Sequence, residues 1–301
     1  MLFTVPTSSY LYTILLLNLA FSIPIFGHYW RLALKSEPMS EYKKEKEISA
    51  LIYLGATTLS VLVIGLSFLL FKNEFVIFNL KESIRHPIVF AIVSLILVDL
   101  FFYVYHRISH VTSLGWLFHS SHHAIETLAY ENSVRIDLKD FNPIYWIAVA
   151  IPMGFLGFNS LETYVLLLTS LYYQYFLHSG ANWFRNSAWG YVFNNPSLHR
   201  VHHSIHDHQL DKNFGGIISL YDFLFFTSCR ETKNLRFGDF GLHGVENSST
   251  LHGTYLSFSK AFFAVVKAKP WYVFVSPRIL MREYNRLNAV SPMDENLPIA
   301  S

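Results

Sequence analysis

The chain has 301 residues, of which 52% are hydrophobic and 17% aromatic but only 15% charged. Soluble domains carry about 25% charged residues, so this depletion, with a mean hydropathy of +0.30, points to an integral membrane protein rather than a large soluble core. A formal net charge of +2 gives no basic surface for nucleic acid, and the single Cys229 excludes an intramolecular disulfide or a thiolate metal cage.

Met1 to Ser9 has no basic n-region and reads poorly as a cleaved signal. Tyr10–Gly27 is long enough to span a bilayer as an uncleaved anchor, with a kink expected near Asn18 and Pro24. A charged linker follows, with Arg31, Lys35, Lys43, Lys44 and Lys46 against four glutamates, and Ile48–Phe71 reads as a second span. After a loop carrying only Lys72, Lys81 and Arg85, Pro87 opens a third span, Ile88–Tyr105, as a first-turn proline. The positive-inside rule puts the Arg31–Glu47 side in the cytosol, so the third helix ends there as His106 begins. Ile144–Phe158 and Leu161–Leu177 are short apolar segments, either two tight spans or a re-entrant hairpin. Both alternatives return His178 to the side where His106 left. The more polar remainder, Ser179 to Ser301, is expected to be a cytosolic cap, with Ala261–Leu280 interfacial and the tail after Ser291 loose. The expected fold is therefore all-α: an integral membrane helical bundle of four or five apolar segments beneath a cytosolic helical cap.

Eleven of the fifteen histidines fall between His106 and His208. Asp99, Tyr103, His106 and His110 are spaced four, three and four, which makes one helical stripe. Gly115 is expected to mark a break, after which His119, His122 and His123 repeat an i, i+3, i+4 pattern on a second helix. His178 closes the fifth apolar segment, with Gln174 one turn before it. From His199 the chain reads His-Arg-Val-His-His-Ser-Ile-His-Asp-His, and on a helix His199, His202, His203 and His206 would share one face. Packed as cations these rings would repel, and buried without partners they would be costly; a metal ion solves both problems. Nine histidines exceed what one tetrahedral zinc takes and suit two metal ions, each with an open position. Imidazole suits iron, zinc, copper and nickel alike, and zinc can displace ferrous iron in purified protein.

His206 and His208 read equally well as supporting or solvent-facing residues, and His28, His86, His243 and His252 as ordinary isolated histidines. Asp99, an ionisable residue two turns inside the membrane from His106, is a candidate either to fix the tautomer of a ligand histidine or to bond a neighbouring helix. Glu126, Asp137 and Asp207 are weaker candidates for the first role.

His106-Arg-Ile-Ser-His110, His119-Ser-Ser-His-His123 and His199-Arg-Val-His-His203 resemble the motifs of the sterol desaturase and fatty acid hydroxylase superfamily. The resemblance covers about His86 to Phe226. It leans to the alkylglycerol monooxygenase-like branch through Tyr173–His178, Asn195-Pro196-Ser197, Asp211–Gly216 and Tyr221-Asp222; Gln174 stands where the fatty acid 2-hydroxylase branch has a further histidine. The resemblance implies two irons held by His106, His110, His119, His122, His123, His178, His199, His202 and His203. It also implies an enzyme of the endoplasmic reticulum or bacterial inner membrane which uses O2 to hydroxylate or desaturate a lipid; the charge rule above puts its histidine site on the cytosolic face. Asp99, Tyr103 and Gln174 are expected to assist catalysis. The domains so implied are 1–85, N-terminal helices and linker; 86–230, catalytic; and 231–301, a C-terminal cytosolic or interfacial segment. No GxGxxG, haem or flavin motif is present, so electrons would come from cytochrome b5, a ferredoxin or tetrahydrobiopterin. Two other classes stay open: a histidine-rich metal transporter, which should place ligands near mid-span, and a zinc-dependent membrane hydrolase, although HExxH is absent.

Overall fold

Pro87 supplies a fixed φ at the start of a helix and its missing N–H costs nothing there. The helix it opens is the spine of the fold. The computed structural model describes residues 76–126, 128, 143–178, 187–230, 235, 239–242 and 257–288. The expected spans Tyr10–Gly27 and Ile48–Phe71 and the tail after Ser291 lie outside these residues. The described elements are α1 (Leu80–Ser83), α2 (Pro87–Val111), α3 (Ser113–His123), α4 (Pro143–Phe155), α5 (Ser160–Leu177), α6 (Pro196–His202), α7 (Leu220–Leu224), α8 (Ser257–Ala268) and α9 (Pro277–Leu287). There is no strand among the described residues, only isolated bridges at Phe193–Ile218 and Ser204–Phe240.

Among the described residues, α2 is the one helix long and apolar enough to cross a membrane. Its 25 residues rise about 37 Å, against about 30 Å of hydrocarbon. It runs six residues past the expected end at Tyr105, carrying His106 and His110 on its last turns. One side exposes Ile88, Ile92, Ile96, Val104, Ile108 and Val111. Its other side packs Phe90, Val98, Phe102 and Tyr105 against Val149 and Met153 of α4 and Val165 and Leu166 of α5. The rings of Phe90 and Phe158 stack at 5.3 Å. α5 begins with a capping box, in which Asn159 accepts from Glu162 N and Glu162 accepts from Asn159 N. The buried Glu162 carboxylate is also paired with Lys81 Nζ at 2.6 Å.

The break between the two histidine helices falls at Thr112, not at Gly115. Thr112 ends α2, and its hydroxyl accepts from Gly115 N to start α3. Gly115 lies inside α3 at the closest approach of the two helices. A Cβ there would sit 2.5 Å from Ser109 Cα and 2.8 Å from Ile108 O. Glycine therefore permits the fold-back that brings His119 over His106.

The C-terminal segment does more than lie at an interface. Phe258, Phe262 and Val265 of α8 and Leu280 and Met281 of α9 form a second core around Trp116 of α3. Ser113 N donates to Val275 O at 2.7 Å, which ties the start of α3 to the turn before α9. Phe263, Trp271, Phe274 and Ile279 face outward.

Candidate metal centre

The nine histidines of the three motifs and His178 converge, and each is 3% exposed or less. They form two adjacent groups. His106, His110, His119, His123 and His202 make one, and His122, His178, His199 and His203 the other; within each, one ring nitrogen per residue lies within 4.8 Å of all the rest. The HxxHH spacing explains the division. Positions i and i+4 lie one above the other on a helix, while i+3 is rotated to the side. His119 and His123 therefore grip the first group and His122 crosses to the second. In the last motif the sense is reversed: His199 and His203 serve the second group and His202 crosses to the first. His106 and His110, another i, i+4 pair, complete the first, and His178 completes the second.

Backbone carbonyls decide which nitrogen points inward. His106 Nδ1 is 2.8 Å from Phe214 O, His178 Nδ1 is 2.8 Å from Gln174 O, and His202 Nδ1 is 2.8 Å from Lys212 O. A carbonyl can only accept, so each of these Nδ1 atoms carries the proton and each Nε2 keeps its lone pair. His106 Nε2 then lies 3.0 Å from His119 Nε2. His199 Nε2 lies 3.1 Å from both His178 Nε2 and His203 Nε2. Nitrogens bound about 2.1 Å from one ion sit about 3.0 Å apart in an octahedron and about 3.4 Å apart in a tetrahedron. Buried ring nitrogens without a hydrogen-bond partner remain at His122 Nδ1, His199 Nδ1, His202 Nε2 and His203 Nδ1. Burial, then the mutual repulsion of the rings, holds His122, His123, His199, His202 and His203 well below the ordinary imidazole value of 6.5. They are neutral at pH 7, the form that binds metal. This donor set fits two metal ions.

The other expected site residues are placed differently. Asp99 is fully buried, and its carboxylate accepts from Ile217 N at 2.7 Å and Ile218 N at 2.8 Å rather than from a histidine. Two turns below His106, it meets the loop that descends beside α2. Tyr103 Oη is 2.9 Å from Thr227 Oγ1, and Thr227 Oγ1 in turn donates to Asp222 at 2.7 Å, so Tyr103 is the donor. Gln174 reaches the site through its backbone carbonyl, while its buried side-chain Nε2 has no hydrogen-bond partner. α6 ends at His202, so His206 never joins a common helical face; it is exposed and bonded to Asp239 at 2.8 Å. His208 and Asp207 are also exposed. Asp137, His28, His243 and His252 lie outside the described residues.

The sequence marks the segment Asp211–Gly216 only as a likeness to the branch and assigns it no place at the site, yet it borders the first group. Lys212 and Phe214 supply two of the three carbonyls above, and Asp211 Oδ1 lies 3.3 Å from His110 Nδ1. The signal that could have found it is Gly215-Gly216 between apolar residues, a mark of close backbone approach.

Residues 91–227 match the fatty acid hydroxylase family model, a span that contains all nine histidines. The chain is similar to alkylglycerol monooxygenase of Xenopus tropicalis, 30% identical over 145 residues, which are 47% of this chain and 31% of that protein. The Caenorhabditis elegans alkylglycerol monooxygenase is 27% identical over 191 residues, 58% of this chain and 35% of that protein. Ornithine lipid hydroxylase OlsE of Rhizobium tropici is 27% identical over 145 residues, 45% of this chain and 41% of that protein. The aligned part is about a third of the length of the alkylglycerol monooxygenases. No solved structure matches the chain. The histidine-rich helical unit thus resembles the fatty acid hydroxylase family over the part of the chain that holds both histidine groups. Within it, the relatives support the alkylglycerol monooxygenase-like branch.

Proposed function

We propose that this protein is a membrane-bound oxygenase that uses O2 and two histidine-bound irons to hydroxylate a lipid. The observation that carries the reading is the pair of buried groups, five and four imidazoles with ring nitrogens gathered within 4.8 Å of one another. An all-imidazole donor set admits several metals; the resemblance of the motifs favours iron. When bound, such ions supply O2 reduction and C–H oxidation, which side-chain acids and bases cannot perform. The protein's own contribution is to hold the rings, fix their tautomers and keep bulk water out. The apolar outer stripe of α2 suits a lipid layer, and His106 and His110 lie on the inner side of the same helix at its end, which fits a substrate with an acyl or alkyl chain. Hydroxylation is favoured over desaturation because the named relatives are monooxygenases and a hydroxylase. Electrons are expected from an external protein or pterin, and the histidine groups are expected on the cytosolic side. Full enclosure of both groups disfavours a transporter, whose ligands must open to solvent on alternate sides.

The test is metal analysis of anaerobically prepared protein, followed by O2 uptake with a reductant against a panel of ether, sterol and acyl lipids. Two irons per chain and a lipid product one oxygen heavier are expected. Two irons without lipid oxidation would leave the centre standing and sink the activity.

A further inference from the structure

The loop from Asp211 to Gly216 touches three ligands of the five-histidine group and none of the other. Asp211 faces His110 Nδ1, Lys212 O accepts from His202 Nδ1 and Phe214 O accepts from His106 Nδ1. Such a loop can orient rings only if its own path is fixed, and the side chains of Asn213, Asp222 and Asn194 fix it. Asp211 and Asn213 both adopt left-handed backbone, with φ of 56° and 55°, which Asp and Asn tolerate better than most residues. Asn213 anchors one side, donating to Leu198 O at 2.9 Å and Cys229 O at 2.7 Å and accepting from Cys229 N at 2.8 Å. Asp222 anchors the other, accepting from Phe214 N at 2.8 Å, Gly215 N at 2.9 Å and Thr227 Oγ1 at 2.7 Å. All three of these contacts converge on the one carboxyl group. Asn194 Nδ2 donates to Gly215 O. The glycines are required by this clamp: a Cβ on Gly215 would meet Ile218 O at 2.4 Å and Asp222 Oδ2 at 3.0 Å.

We propose that Asp222, which touches no histidine, is a positioning residue for one metal site of the two: it holds the Phe214 and Gly215 amides, and through them the carbonyl and loop that orient His106, His110 and His202. The four-histidine group takes its orienting carbonyl from Gln174 on α5, outside the loop that Asp222 holds. The proposal rests on reading the groups as metal sites.

The experiment uses the full-length purified chain, stripped by chelator and titrated anaerobically with cobalt(II), whose visible bands report coordination. The wild-type chain is expected to take two equivalents. Asp222→Asn replaces an acceptor oxygen by an amide that cannot accept, and Thr227→Val removes one of the donors that holds the carboxylate. In Asp222→Asn one equivalent should weaken by about 10- to 100-fold, the range for loss of a group that orients a ligand, while the other keeps its affinity and spectrum. Thr227→Val should give the same split with a smaller loss. Lys81→Met, a destabilising change remote from the loop, should leave both equivalents together. Equal weakening of both sites in the Asp222 and Thr227 variants, or no weakening, overturns the proposal. Failure of the wild-type chain to bind cobalt overturns the metal reading itself, and the proposal with it.

Discussion

His122 and His123 are consecutive residues that serve different groups, their rings 5.4 Å apart and turned 86° to each other. Exchange at this pair, mirrored by His202 and His203, ties the two sites into one unit. Removing either residue should therefore cost one ion rather than both. His122→Ala should empty the four-histidine site and His123→Ala the five-histidine site. Both variants should retain about one metal per chain and, on the proposed two-metal function, lose nearly all lipid oxidation. Metal analysis with spectra of each variant checks this; two metals retained in either would contradict the assignment.

The Asp99 carboxylate stabilises rather than reacts. Asp99→Ala leaves the amides of Ile217 and Ile218 buried without acceptors, at about 1–3 kcal/mol each. Gly216→Ala attacks the same contact from the other side, since its Cβ would lie 2.4 Å from Asp99 Oδ1 and 2.8 Å from Phe102 Cδ1. Overpacking of this kind costs about 1–3 kcal/mol. Thermal unfolding in detergent should show both losses, and the double variant should lose less than their sum. Full additivity would mean that the two residues act separately.

Metal-free protein should weaken in acid. Five rings, His122, His123, His199, His202 and His203, are held by burial well below 6.5. As pH falls through about 6.5 the unfolded chain takes up protons on them, while the folded chain does not. The unfolded state thus binds more protons, and stability is full above that value and lost below it. The slope is about 1.4 kcal/mol per pH unit for each histidine that titrates in the unfolded chain alone. Melting of chelator-treated protein between pH 7.5 and 5.5 measures it; a flat profile would mean that the rings are accessible to protons in the folded state.

Lys81 and Glu162 join α1 to the start of α5. The Glu162 side chain is 1% exposed, so Lys81→Met strands a buried carboxylate and should cost about 3–5 kcal/mol. Glu162→Gln added to that variant should recover part of the loss, as read by thermal unfolding. No recovery would locate the cost in the lysine's packing instead.

The histidines themselves were legible in the sequence, because HxxHH on a helix leaves few other uses for three imidazoles. α2, α4 and α5 were legible from apolar length, to within a turn at most ends. What escaped was everything carried by main chain. Nothing in the letters Lys212, Phe214 or Gln174 says that their carbonyls face histidines; that depends on φ and ψ set by contacts far away in sequence. Asp99 was rightly singled out as costly in an apolar helix, but its partner is 118 residues on, and spacing along α2 could not choose between a ring and a backbone amide. Glycine often ends helices, but at Gly115 a steric demand from Ser109 gives it another use. α6 stops at His202, and with it the periodicity that would have included His206.

Because acceptors on the main chain fix His106, His178 and His202, the lineage is free to vary the side chains that carry those acceptors. A mutation at Lys212 or Gln174 cannot delete a carbonyl, so sequence drift there leaves the tautomers intact as long as the chain follows its path. The vulnerable letters are instead those that steer the path: Asn213, Gly215, Gly216 and Asp222. Homologues should differ freely in the first set and hardly at all in the second.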